Sequence, residues 1–195
     1  MRANLARAAS TFARGLPALV FLTDDERTPE PLASVERLPC ASLVIVRARA
    51  AARRAELVRA IAPLARRRRL FWTVAADPEL ASRSGADGIH FPELMLDLAA
   101  KWRVRRPDWL ITAAAHSLAA CLRAKRSGAD AVLLAPVFGT ASHRDRQGLG
   151  AARVGHIVRQ VPLPIYALGG IEAVSARRLL GLPLAGLAAV GALTA

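Results

Sequence analysis

Ala167-Leu168-Gly169-Gly170-Ile171 carries the most specific local chemical signal in this chain. Two glycines between an apolar strand-like run (164–168) and a helical stretch (171–180) let backbone N–H groups approach an anion at a helix N-terminus. A tight turn is the alternative reading. Gly191, just after a second apolar run (186–190), can add further amides to the same site. Arg47 and Arg49 stand two apart at a strand end, so their side chains point to the same side, as a pair gripping an anion would. Two solvated arginines in an Arg-rich chain would look the same. His116, beside Ser117 near another strand end, is either a helix-terminus hydrogen-bonder or a substrate contact. His143 lies in a donor-rich loop (142–146) suited to covering an anion, whereas His90, ending a strand, reads as a packed and satisfied histidine. The chemistry these groups suit is the binding of a phosphorylated ligand and the neutralisation of its charge.

The sequence holds no Walker loop, no dinucleotide-type glycine motif and no paired cysteines. Four acids fall near strand C-terminal ends, Asp24, Asp25, Asp77 and Glu93, and of these Asp24 and Glu93 are aimed at a shared mouth.

The elements that position these groups follow from a repeated phrase. Residues 116–140 read as a helix with the apolar stripe Leu118, Cys121 and Leu122, a stop at Ser127-Gly128, and a continuous apolar strand from Ala131. A run with no polar alternation suits a parallel strand buried on both faces. Ser84-Gly85-Ala86-Asp87 repeats Ser127-Gly128-Ala129-Asp130, and residues 182–190 form a worn third copy. Further apolar runs at 18–22, 42–46, 70–74, 88–91 and 109–114, with 164–168, bring the strands to eight, each alternating with a helical stretch. The expected fold is α/β: a compact (β/α)8 TIM barrel over residues 1–195, one domain, with a truncated or missing final helix. Residues 1–14, with Leu5, Ala9 and Phe12 in a stripe, are expected to form an N-terminal helix rather than a targeting peptide. Phosphate in such barrels binds at the loops after strands seven and eight, where the glycines fall.

The chain has 195 residues, 53% apolar and 22% charged, with a formal charge of +13. The basic residues are nearly all arginine and spread over every helix, without interleaved aromatics to stack bases, so no nucleic acid is expected. The densest run, Arg66–Arg69, falls at a helix C-terminus, where positive charge is favourable by ~0.3–1 kcal/mol. No apolar run approaches the ~20 residues of a membrane span, so no membrane partner is expected. Cys40 and Cys121 are expected to be reduced core or near-core residues of a cytoplasmic protein. The outer faces of strands eight and one are expected to be apolar and bare of a final helix; the N-terminal helix or a second subunit can cover them, and a homodimer with that helix contributing is expected.

Three stretches, GADGIHFPE, AAHSLAACLRAKRSGADAVLLAPVF and LPIYALGGI, resemble the thiamine phosphate synthase and thiazole tautomerase family, and the resemblance runs from Leu19 to Leu193. It implies a (β/α)8 barrel that joins a pyrimidine diphosphate to a thiazole phosphate and releases pyrophosphate with Mg2+. It places thiazole phosphate on Gly169, Gly170 and the backbone near Val190 and Gly191. Arg47 matches the arginine of the family's strand-two Arg-Glu-Lys motif, and Arg49 replaces its lysine. His116-Ser117 matches a His-Ser pair, Ala114 replaces a substrate-binding serine, and His143 stands near a mobile-loop lysine. Ala75-Ala76 occupies the place of an Asn-Asp pair that holds pyrimidine and metal, and Met95 that of a second metal-binding Asp. Mg2+ is therefore a cofactor whose family ligands are replaced at Ala76 and Met95. Pro136 stands where the tautomerase branch carries its catalytic histidine. The implied function is a thiamine phosphate synthase-type transferase of low activity. The alternatives are a non-catalytic binder of thiazole phosphate or thiamine phosphate, or a different reaction on a phosphorylated heterocycle.

Overall fold

The structure, a computed structural model, describes residues 15–139 and 148–190. Eight parallel strands close in chain order into a barrel. They are β1 Leu19–Leu22, β2 Leu43–Val46, β3 Phe71–Ala75, β4 Gly88–Phe91, β5 Leu110–Ala115, β6 Ala131–Leu134, β7 Ile165–Leu168 and β8 Gly186–Ala189. Between them lie α1 Leu32–Glu36, α2 Ala51–Arg68, α3 Pro78–Ser84, α4 Asp97–Arg105, α5 Leu118–Arg126, α6 Gly150–Gln160 and α7 Ala173–Ala176. The strands read as continuous apolar runs because both faces are covered. Val20, Leu22, Leu43, Ile45, Leu133, Tyr166 and Ala188 form one buried cluster inside the barrel. Their alternates, among them Phe21, Val44, Trp72, Ile89 and Leu134, pack with the helices. Tyr166 donates its hydroxyl to the Pro17 carbonyl at 2.7 Å, and burial raises its pKa so that it remains a donor.

The repeated Gly-Ala-Asp phrase has a physical cause. Gly85 and Gly128 hold left-handed φ values of 69° and 84°, which ends a helix at little cost to glycine. The following Asp then clamps the neighbouring strand with both its backbone and its carboxylate. Asp130 donates N–H to the Ile111 carbonyl and accepts the Ile111 N–H on Oδ2, each at 2.7 Å. Asp87 does the same to Trp72, at 3.0 and 2.8 Å. In the third copy Ala185 keeps the backbone bond, to Ile165 at 2.8 Å, and lacks the carboxylate.

Arginines at the helix ends donate to carbonyls of neighbouring segments: Arg66 to Ser84, Arg68 to Leu38, and Arg103 to Trp109 and Gly128. Part of the arginine excess thus satisfies backbone oxygens that helix ends leave unpaired. Arg105 and Arg106 cover the faces of the stacked pair Trp102 and Trp109.

Three expectations change. Helix α7 has four residues and runs into a 3-10 turn, Arg177–Leu179, in place of a helix over 171–180. Cys40 is exposed, since it sits in the turn before β2 beside Ala41 at φ 60°, whereas Cys121 is buried in α5. The outer faces of β1 and β8 are not bare: Leu19, Phe21, Leu187 and Ala189 are buried in one cluster with Ala176, Leu179 and Leu184. The reason given for a homodimer therefore falls away. The expected N-terminal helix, the segment after Val190 and the loop carrying His143 lie outside the described residues. Among the described residues no helix is long and apolar enough to cross a membrane.

Candidate functional site

Because every strand runs the same way, all eight C-terminal ends open on one mouth. Arg47, Arg49, His90, His116, Gly169, Gly170 and Val190 each sit at or just beyond one of those ends.

The glycine loop after β7 is built for close approach. Gly169 and Gly170 hold φ values of 93° and 64°. A Cβ on Gly169 would lie 2.9 Å from Pro136 Cα, and one on Gly170 would lie 2.7 Å from both the Gly139 carbonyl oxygen and Phe138 Cβ. The loop is tied down by its carbonyls. Val137 and Phe138 donate N–H to the oxygens of Leu168 and Gly169 at 2.9 and 3.0 Å, and Ser175 Oγ donates to Gly170 at 2.7 Å. Its amides are left over: among the described residues, the N–H groups of Gly169, Gly170 and Ile171 have no acceptor. Successive unpaired amides in a turn form an anion-binding concavity. A four-residue helix has little dipole to add, so the loop itself makes the cradle. Val190 is buried at the end of β8 on the inner side of the barrel, and Gly191 lies outside the described residues.

The arginine pair is less free than its spacing suggests. Arg47 is ion-paired with Asp24, and Thr23 Oγ1 accepts the Arg47 N–H at 2.8 Å and donates to its carbonyl at 2.6 Å. Burial pushes the Asp24 pKa up. The amides of Arg27 and Glu26 and the Arg47 charge outweigh it, so the net shift is downward. Arg49 pairs with Glu26 at 2.8 Å, and its amide donates to Asp25 at 2.8 Å. These bonds lace the β1 and β2 loops together.

His116 donates from Nδ1 to the Ala135 carbonyl at 2.7 Å, since that oxygen can only accept. This fixes the tautomer and leaves Nε2 for a ligand. Its backbone N–H donates to Glu93, whose other oxygen binds Arg123. Arg123 sits on the exposed face of α5, and its place in this cluster had no signal in the sequence. His90 is 5% exposed, with Nδ1 2.9 Å from Thr112 Oγ1. Burial lowers its pKa to about 3, with the Arg47 charge acting in the same direction, so the ring is neutral. It is packed and satisfied, as the sequence suggested.

Among the described residues, the side chains at the mouth present no grouped donors for Mg2+. Ala75, Ala76 and Met95 supply no donor oxygen. Asp24 and Glu93 are held by arginines, and Asp25 by the Arg49 amide. Asp77 caps α3 and faces Arg54 at 3.6 Å. Among the described residues no three His, Cys, Asp or Glu side chains are grouped to hold a metal. Ala76 nonetheless keeps φ 61°, a left-handed conformation that Asn, Asp and Gly tolerate better than Ala.

One contact near the cradle escaped sequence reading. The Arg178 guanidinium lies over the Phe138 ring, 4.9 Å from its centroid. Nothing in the spacing of the two residues signals it.

A model of the family described as thiamine monophosphate synthase matches residues 19–193. A putative thiamine-phosphate synthase 2 of Aquifex aeolicus is 37% identical over 93 residues, 48% of this chain and 50% of that protein. The thiamine-phosphate synthase of Methanoculleus marisnigri is 36% identical over 115 residues, 58% of this chain and 54% of that protein. The chain thus spans about half the length of these two relatives. A third, from Chlorobium phaeovibrioides, is 28% identical over 182 residues, 91% of this chain and 87% of that one. A solved thiamine phosphate pyrophosphorylase from Pyrococcus furiosus superimposes with a TM-score of 0.75 at 25% identity, covering 91% of this chain and 87% of its own.

Proposed function

The chain belongs to the thiamine monophosphate synthase family, and on that premise we propose that it is a synthase-type transferase of thiamine biosynthesis. It binds thiazole phosphate at the barrel mouth and joins it slowly, without a protein-held metal, to a pyrimidine diphosphate. The observation that carries this reading is the row of unpaired amides at Gly169, Gly170 and Ile171. They are donors in a fixed loop with no partner among the described residues, so a phosphate gains their bonds without reorganising that loop.

Joining the two heterocycles expels pyrophosphate, whose growing charge needs cations. In the family Mg2+ supplies them, and the described residues here group no side chains to hold that ion. Arg47 and Arg49 stand at the right end of the barrel, and guanidinium clamps can stabilise a leaving phosphate group. Each would first have to exchange its carboxylate, Asp24 or Glu26, for the diphosphate. Those carboxylates oppose the gain, which is why turnover is expected to be slow. The same pairing favours a second reading, a non-catalytic holder of thiazole phosphate.

A one-pot assay with thiazole phosphate and the pyrimidine diphosphate, with and without Mg2+, separates the two. Slow product formation insensitive to chelator is expected of the transferase, and Ala76→Asp with Met95→Asp should add Mg2+-dependent turnover. Binding without product identifies the holder. Fast, chelator-sensitive turnover by the native chain would defeat the metal argument.

A further inference from the structure

From the packing around the glycine loop we infer that Arg178 is the guanidinium that binds the ligand's phosphate beside the Gly169–Ile171 amides. This rests on the cradle reading and adds its charged partner. Four arginines at the strand-end loops spend N–H edges on carboxylates: Arg47 on Asp24, Arg49 on Glu26, Arg54 on Asp77, Arg123 on Glu93. Arg178 is held differently. It stacks on Phe138, and among the described residues it enters no ion pair. Stacking uses the face of a guanidinium and leaves the edge donors free for a planar or tetrahedral anion. The ring orients the cation without neutralising it.

Its platform belongs to the cradle. Phe138 donates its N–H to the Gly169 carbonyl at 3.0 Å. Its Cβ lies where a side chain on residue 170 would have to go, 2.7 Å from an added Cβ. A single aromatic side chain therefore lies between the cradle amides and an exposed guanidinium, neither of which has a hydrogen-bond or ion-pair partner among the described residues. Neutral amides alone bind a dianion weakly in water, and a charged donor roughly doubles the strength of such a bond.

The test is calorimetric titration of the wild-type chain, Arg178→Gln and Arg178→Lys with inorganic phosphate, thiazole phosphate and the dephosphorylated thiazole. Because Arg178 is exposed, the thermal midpoints of the variants should match the wild type, which serves as the folding control. Arg178→Gln should bind thiazole phosphate roughly ten- to a hundredfold more weakly, with the dephosphorylated thiazole unaffected and Arg178→Lys in between. Equal affinity for thiazole phosphate in wild type and Arg178→Gln would overturn the assignment while leaving the cradle standing. An equal loss for both thiazoles would reduce Arg178 to a structural role and overturn it too. A wild-type chain that binds neither phosphate probe would defeat the cradle reading itself, and Arg178's role with it.

Discussion

Acidification should destabilise this fold through His90 well before its carboxylates titrate. The imidazole is buried inside the barrel mouth against Thr112, and its pKa falls from an ordinary 6.5 to about 3. The folded state therefore keeps it neutral, while the unfolded chain takes up a proton below about pH 6.5. Stability is full above that pH and is lost as the pH falls from 6.5 towards 3. At pH 7 the effect is about 0.2 kcal/mol, and at pH 5 it reaches about 2 kcal/mol, an order-of-magnitude figure from the two pKa values. Asp24, also shifted downward, gives up its contribution only below its ordinary 3.8, so it does not confuse this window. Urea unfolding at pH 7 and pH 5 measures the difference for the wild type and for His90→Gln, which cannot titrate. With a urea dependence of about 2 kcal/mol per molar, the wild-type midpoint should fall by roughly 1 M more than the variant's. Parallel losses in the two proteins would refute the reasoning.

Asp130→Ala should cost about 1–3 kcal/mol, since it strands the buried Ile111 amide and removes the carboxylate paired with Arg103, whose guanidinium keeps its carbonyl acceptors. Asp87→Ala, which frees only the Trp72 amide, should cost less, and the order is read from urea midpoints. Gly170→Ala should destabilise by about 1–3 kcal/mol and weaken phosphate binding, because its Cβ would meet backbone at φ 64°. Gly139→Ala, with nothing within 4 Å of an added Cβ, should be silent in both assays, and equal effects would discredit the packing account. Native protein should show one rapidly titrating thiol, Cys40. Cys121 should react only after denaturation, since it is buried and its pKa is pushed up to about 11 by burial and the Glu93 charge. Two fast thiols would contradict that.

What the sequence made legible was local and periodic. Strands of both-face burial stand out as unbroken apolar runs, and β4 falls at residues 88–91, as expected. The Ser-Gly-Ala-Asp phrase was visible as a repeat because each half has a short-range job: a left-handed glycine and an aspartate one residue from its strand. What escaped was long-range. Nothing near Arg47 announces Asp24, 23 residues earlier, nor does Arg178 signal Phe138. The last helix was overestimated for a related reason. Its apolar pattern continues to Leu180, but Glu172 and Ser175 cap each other across the first turn, and the chain tightens to 3-10 geometry at Arg177. Burial of strand faces depends on elements far along the chain, so the outer side of β1 and β8 was misjudged as bare.

A crystal structure of the chain with thiazole phosphate, grown in the presence of chelator, tests the cradle most directly. The expected result is phosphate oxygens ~2.7–3.2 Å from the backbone nitrogens of Gly169, Gly170 and Ile171, with no metal bridging them. A phosphate lodged between Arg47 and Arg49, or on the helix-end arginines, with those three amides unbound, would contradict it.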